Sequence, residues 1–385
     1  FRLLQGVGGA LIAANSGAVI ADTFPPHTRG RAYGYNAIGW NVGAVLGVLL
    51  GGVLVTYVSW RWIFGINVPI GIAAYLVALM VLKDKGKRTP QRLDVPGMVT
   101  LGAGLFALLW AMTRLTSESF NASIGALLVL GAGLLVAFGV IENRRREPML
   151  SLELFRIPTM TPSLLAAFFQ SLANFAVLFL LFMYLQGVRG DSPIKASIVL
   201  VPGYVIGAFF GPIGGRIADR YGSVLPATVG LLIQIIALVM YAQLQVTTPI
   251  WVIVVAYIIG AIGAGGFYPA NSAAVMRAAP SASFGIASGM LRTFANTGMV
   301  FSFALAVLAA SQSITKAQAF ALFVGTSTLS RSTGVVFSHA IHLAFYSSTV
   351  LMAVAAVLSA LRARSGLRPI ATPPSRGEFT GEVSA

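Results

Sequence analysis

Runs of about twenty apolar residues recur along this chain, and twenty is the length a helix needs to cross the hydrocarbon core of a bilayer. Few folds can hold such a sequence. A transmembrane barrel would show segments of about ten residues with alternating character instead. Eleven apolar windows can be read, at roughly 1–23, 34–57, 62–82, 95–114, 121–141, 159–186, 194–215, 223–244, 249–276, 286–310 and 338–361. Inside lipid each backbone polar group must be bonded within its own segment, so these windows are expected to be helices. The expected fold class is all-α, a polytopic membrane helix bundle. Composition agrees, because 57% of the 385 residues are hydrophobic and 10% are charged, where soluble domains carry about a quarter charged. Asp94 followed by Pro96 reads as the cap and first turn of the fourth window. Residues 362–385, rich in Pro, Ser, Gly and Glu, read as a disordered cytoplasmic tail.

The absence of cysteine rules out disulfides and thiolate metal sites. His27, His339 and His342 form no ligand cluster, so neither a metal nor another cofactor is expected. His339 and His342 lie three apart near a helix start, where packing at an interface is the simpler role. The net charge of +15 sits mostly in short connections between windows, which points to orientation and anionic lipid rather than to nucleic acid. Alternate connections divide the cations unequally. One set, counted with Arg29, Arg31, Lys85, Arg144, Arg220, Arg277, Arg292 and Arg362 among its members, holds nineteen, and the other holds six. The positive-inside rule puts the first set in the cytoplasm and residue 1 near the outer side.

The segment AANSGAVI at 13–20 returns as PANSAAVM at 269–276, with five of eight positions identical. Gly34 and Gly43 are nine apart, as are Gly289 and Gly298, and Asn41 and Asn296 each precede the second glycine by two. The ninth, tenth and eleventh windows therefore correspond to the first, second and third. The sixth to eighth have no partners, and the fourth and fifth match nothing. The expectation is a parent of fourteen spans whose first three are absent here. Residues 1–82 would close the N-terminal half, 83–147 form two linking spans and 148–361 form the C-terminal half.

These features resemble the major facilitator superfamily, and within it the fourteen-span drug:proton antiporters of the QacA/EmrB type. RLLQGVGGA at 2–10 is similar to a motif of that family's fourth helix, and the resemblance implies that Arg2 and Gln5 face the cavity and assist proton transfer. The antiporter motif G-x8-G-x3-G-P-x2-G-G is present as Gly34, Gly43, Gly47, Val48, Gly51 and Gly52, with valine in the proline position, so the bend the proline would supply is in question. GRIADRYG at 215–222 is similar to the superfamily's cytoplasmic motif and implies a gate at Gly215, Asp219, Arg220 and Gly222. Asp219 would cap or pair with a neighbouring helix end, and Arg220 would hold the gate by charge-assisted bonds. WRWIFGINVPIG at 60–71 is close to a stretch typical of the fourteen-span branch.

The resemblance implies a secondary active transporter of the bacterial cytoplasmic membrane, exporting lipophilic drugs or other small amphipathic compounds against proton entry. A dedicated exporter of one metabolite or siderophore is the alternative. The expected partners are the substrate, protons and membrane lipid, with a periplasmic adaptor left open. An enzyme would need a dense cluster of paired acids or a His-acid set, and a channel a filter loop or charged ring; the sequence shows neither. Antiport also needs a titratable group away from bulk water. All eleven acids, Asp22 among them, fall in loops, tails or the ends of windows, so the coupling carboxylate is expected in the absent helices. Asn15, Asn41, Gln170, Asn174, Gln234, Asn271 and Asn296 are the expected polar lining of an otherwise apolar cavity.

Overall fold

The computed structural model describes residues 2–59, 61–81, 94–145, 152–310 and 331–365, and all regular structure among them is helical. In chain order the helices are α1 (Arg2–Thr23), α2 (Arg29–Tyr57), α3 (Trp62–Gly65), α4 (Asn67–Val81), α5 (Val95–Ser117), α6 (Ala122–Arg144), α7 (Met160–Met183), α8 (Pro193–Tyr221), α9 (Val224–Tyr241), α10 (Ile250–Ala278), α11 (Phe284–Ala310) and α12 (Arg331–Ser365). Each expected window coincides with a long helix, the third being split into α3 and α4 around Ile66. Eight stretches among the described residues are long and apolar enough to cross a membrane. α12 runs past the expected start of the tail, through Ser365. Residues 366–385, the connections at 82–93 and 311–330, and the side-chain surroundings of Arg2, Gly51, Gly52 and His339 lie outside what the structure describes.

Local chemistry sets the helix ends. The Asp94 side chain accepts from the Gly97 amide at 3.1 Å, with Pro96 in the first turn, as the sequence expects. Asn121 does the same for Ile124 at 3.0 Å and starts α6. Gly222, at φ +83, terminates α8 in a backbone region that costs a side-chain-bearing residue more. α2 runs unbroken through Val48. The proline that would bend it is absent.

The best-buried core lies among α7, α9, α10 and α12, where Leu180, Leu181, Leu231, Ile253, Phe267 and Phe345 are almost fully enclosed. Helices bind one another closely here because the contact residues are small: a Cβ on Gly230 would stand 2.5 Å from the Gly263 oxygen on α10. α5 and α6 pair as a hairpin that lies against α11. α1 packs on α11 and α10 packs on α2. The expected repeat pairs α1 with α10 and α2 with α11, and these are the two contacts it would exchange.

Candidate functional site

The crossing of α2 over α8 joins the first part of the chain to the last. Gly30 and Gly34 on α2 face Gly215 and Gly211 on α8, each pair four residues apart and so on one helix face. A Cβ on Gly30 would lie 2.5 Å from the Gly215 oxygen, and one on Gly34 2.5 Å from the Gly211 oxygen. Only hydrogen fits at such backbone-to-backbone separations. At these four glycines the two backbones meet directly, and the side chains of Asn41 and Asp219 flank the contact.

A carboxylate holds the end of this crossing. Asp219, in the last turn of α8, accepts the Gly30 and Arg31 amides at 2.8 Å each. These amides belong to the first turn of α2, where donors have no helical partner and the dipole is positive. Arg277, at the end of α10, adds a charge-assisted bond to the same carboxylate at 3.2 Å. Arg220 lies over the Tyr221 ring at 5.3 Å, and the cation facing Asp219 is Arg277. Next to this clasp, Arg29 is 7% exposed. It donates to the Ala21 oxygen at 2.7 Å, the Phe24 oxygen at 3.1 Å and the Met276 oxygen at 3.1 Å, and lies 4.7 Å from the Phe284 ring centroid. Ends of α1, α2, α8, α10 and α11 are therefore fastened together at one end of the bundle. At the other end Asp191 pairs with Arg189 at 3.4 Å and Lys195 at 2.6 Å, and His342 bonds the Leu244 oxygen.

Further along α2 the glycines behave differently. Gly43 and Gly47 have no atom within 4 Å of an added Cβ, and Gly51 and Gly52 continue the helical backbone. A cavity of about 490 Å³ runs along this part of α2, lined by Asn36, Gly39, Trp40, Gly43 and Ala44. Over the Trp40 ring, 5.7 Å from its centroid, stands the guanidinium of Arg292 on α11. Tyr33 and Tyr268 interact electrostatically with Arg292, and Gln170 and Ser171 are side-chain neighbours of Tyr268.

The amides expected to line a cavity divide into several environments. Asn15 is exposed and donates to its own helix at the Leu11 oxygen, 2.8 Å away. Asn41 donates to Ala37 at 2.8 Å, and its oxygen would lie 2.9 Å from a Cβ on Gly207, which places it in the α2–α8 contact. Gln170 is fully buried and donates to Gln234 at 3.0 Å. Asn174 is half-buried and Asn296 exposed. Asn271 is buried in a link of its own, donating to the Ser163 oxygen at 3.1 Å and accepting from Arg362 at 2.8 Å. Gln5 lies on an exposed part of α1.

Two cations counted with the cytoplasmic connections are corrected by the structure. Arg292 sits inside α11, and Arg362, 1% exposed, is held by Ser163, Asn271 and Ser359 between α7, α10 and α12. Removing both leaves seventeen cations (nineteen less two) against six, so the bias persists. Two acids at helix ends, Asp94 and Glu142, are 4% and 2% exposed. Their place at window ends was legible in the sequence; their burial was not. It depends on α5 and α6 closing as a hairpin, with Arg145 3.3 Å from Asp94.

Comparison with known proteins places this geometry. The profile of the Major Facilitator Superfamily matches residues 1–303. The chain is 28% identical over 304 residues to the tetracenomycin C resistance and export protein of Streptomyces glaucescens, covering 77% of this chain and 56% of the relative. It is 26% identical over 320 residues to the riboflavin transporter RibZ of Clostridioides difficile, covering 83% and 69%. It is 31% identical over 242 residues to the puromycin resistance protein pur8 of Streptomyces alboniger, covering 60% and 48%. The chain spans about half the length of the first curated relatives it matches.

Proposed function

The chain belongs to the major facilitator superfamily, and from that premise we propose that it exports small lipophilic compounds across the bacterial cytoplasmic membrane in exchange for protons. Membership makes it a multi-pass membrane transporter. The finer placement, among the fourteen-span drug:proton antiporters, is supported by the glycine series of α2, the string at 60–71 and the α5–α6 hairpin between the two repeats.

The observation that carries the mechanism is the clasp of Asp219, Arg277 and the start of α2. Residues 1–82 and 148–361 would act as parts of two rocking halves, with 83–147 as the linking pair. Alternating access requires contacts that hold firmly in one state and release as a unit. Two backbone amides and one arginine on a single carboxylate are such a contact, and the glycine crossing behind them lets α2 and α8 separate. Gly215, Asp219 and Gly222 serve the gate through backbone spacing, charge and termination of α8. Arg220 stands beside the clasp on Tyr221. Arg2 and Gln5 on α1 are the proposed proton-transfer groups.

A second reading, export of one metabolite, is supported by the relative named for tetracenomycin C export. The test is efflux of several unrelated fluorescent dyes from cells making the full-length protein, with and without an uncoupler. Broad efflux that stops with the uncoupler is expected. Efflux indifferent to the uncoupler would reject proton coupling, and dye-blind cells that still expel one endogenous metabolite would favour the second reading.

A further inference from the structure

Arg292 is the ninth residue of α11, so it stands about 12 Å along the axis from the helix start. An ionisable side chain carried within a helix of a membrane bundle is costly and marks function. Another interior arginine, Arg362, donates to serine and asparagine oxygens on all sides. Arg292 is held in another way. Its guanidinium lies over the face of Trp40, Tyr33 and Tyr268 interact with it electrostatically, and no carboxylate pairs with it among the described residues. The hydroxyl of Tyr33 is already committed to the Gly17 oxygen at 2.6 Å. The charge is thus framed by rings and left without an anion.

The surroundings are built to receive something. Tyr268 on α10 is 37% exposed, so part of its ring is accessible. Beside it the oxygen Oε1 of the fully buried Gln170 has no hydrogen-bond partner, although the same side chain is pinned through its nitrogen to Gln234. Trp40, 63% exposed, opens onto the cavity along α2, whose 490 Å³ falls in the range that small-molecule sites occupy. An arginine with no carboxylate partner among the described residues thus lies on the exposed Trp40 ring that lines this cavity, with Tyr268 in its electrostatic reach and the buried Gln170 amide next to Tyr268.

We propose that this cluster is a substrate site for planar aromatic acids, in which Arg292 binds a carboxylate or phenolate and Trp40 and Tyr268 hold the rings. The assignment rests on the exporter reading and narrows its substrate class. A guanidinium offers paired N–H donors matched to a carboxylate, and its aromatic contact keeps it oriented. The free oxygen of Gln170 accepts a hydroxyl or amide hydrogen from the same ligand. A lipophilic cation would meet Arg292 as a like charge in a poorly screened space, so cations are disfavoured at this position.

The test uses purified full-length protein in detergent and three probes of one shape: anthraquinone-2-carboxylate, its neutral carboxamide, and the 2-(trimethylammoniomethyl) cation. Equilibrium dialysis should show the carboxylate binding at least tenfold more tightly than either other probe. Arg292→Gln should abolish that preference, and a monodisperse gel-filtration peak with the parent's melting temperature shows that the variant is folded. Arg292→Lys should restore part of the preference, because it returns the charge without the fork. Trp40→Ala should weaken all three probes. A wild type that fails to bind the carboxylate, or fails to prefer it, overturns the proposal, as does an Arg292→Gln protein that keeps the preference. Arg292-dependent binding together with no uncoupler-sensitive dye efflux would leave this site standing and remove the export reading.

Discussion

Substituting asparagine for Asp219 tests whether the clasp closes one side of the transporter. Asparagine keeps the size and one acceptor oxygen, but it cannot hold the Gly30 and Arg31 amides and Arg277 as an anion does. The wild-type carboxylate side chain is 13% exposed and Arg277 27%, so solvent screens the pair only in part. Hydrogen bonds to a charged group contribute about 1.5–3 kcal/mol each, and loss of a helix cap costs about 1 kcal/mol. Since these overlap, the net loss is about 2–4 kcal/mol. At tenfold per 1.4 kcal/mol, the population open at this end should rise by roughly thirty- to several-hundredfold. The chain has no cysteine, which makes a single reporter clean. Ser288 is a suitable position, being 2% exposed and one helical turn in from Phe284, the ring beneath Arg29. With Ser288→Cys, an impermeant maleimide applied to everted vesicles should label the Asp219→Asn protein at least tenfold faster than the parent. Labelling from the opposite side should slow or stay constant. If the cytoplasmic-side rate is unchanged, Asp219 is an ordinary surface cap and the gate assignment is wrong.

Other outcomes follow from the same structure. Gly34→Ala should lower the melting temperature in detergent, since its methyl meets the Gly211 oxygen at 2.5 Å and overpacking costs about 1–3 kcal/mol. Gly43→Ala, with nothing within 4 Å, should leave it unchanged or slightly raised. Arg362→Ala should destabilise by about 2–4 kcal/mol, because it strips the donor from buried Ser163 and Asn271; a melting temperature equal to the parent's would contradict that account. Asp94→Ala removes both the α5 cap and the partner of Arg145, and hydrogen exchange should quicken at the first turn of α5 while the core of α9 stays protected.

Much of the architecture is legible before any coordinates. The apolar windows locate the long helices, because lipid leaves the backbone no other way to satisfy its polar groups. Asp94 and Pro96 mark the start of α5, since capping is chemistry between residues three apart. The glycine series of α2 and the string around Asp219 single out the crossing as worth attention. The identity of the cation that meets Asp219 was beyond reach. Arg220 is adjacent in sequence, yet Arg277 is adjacent in space, and only the packing of α10 on α8 distinguishes them.

The same division governs the arginines within the bundle. From the sequence both Arg292 and Arg362 count as cations of the cytoplasmic connections. The structure separates them, with Arg362 donating to oxygens on three helices and Arg292 resting on Trp40 with its charge unmatched. Hydrophobic periodicity and local capping are properties of short stretches, so the amino-acid order located the helices and the superfamily, while ends such as the start of α2 and the end of α8 fell several residues from expectation. Which charges are paired and which are free depends on residues tens to hundreds of positions apart. That was decided only when glycine-faced helices came together closely enough to choose the neighbours.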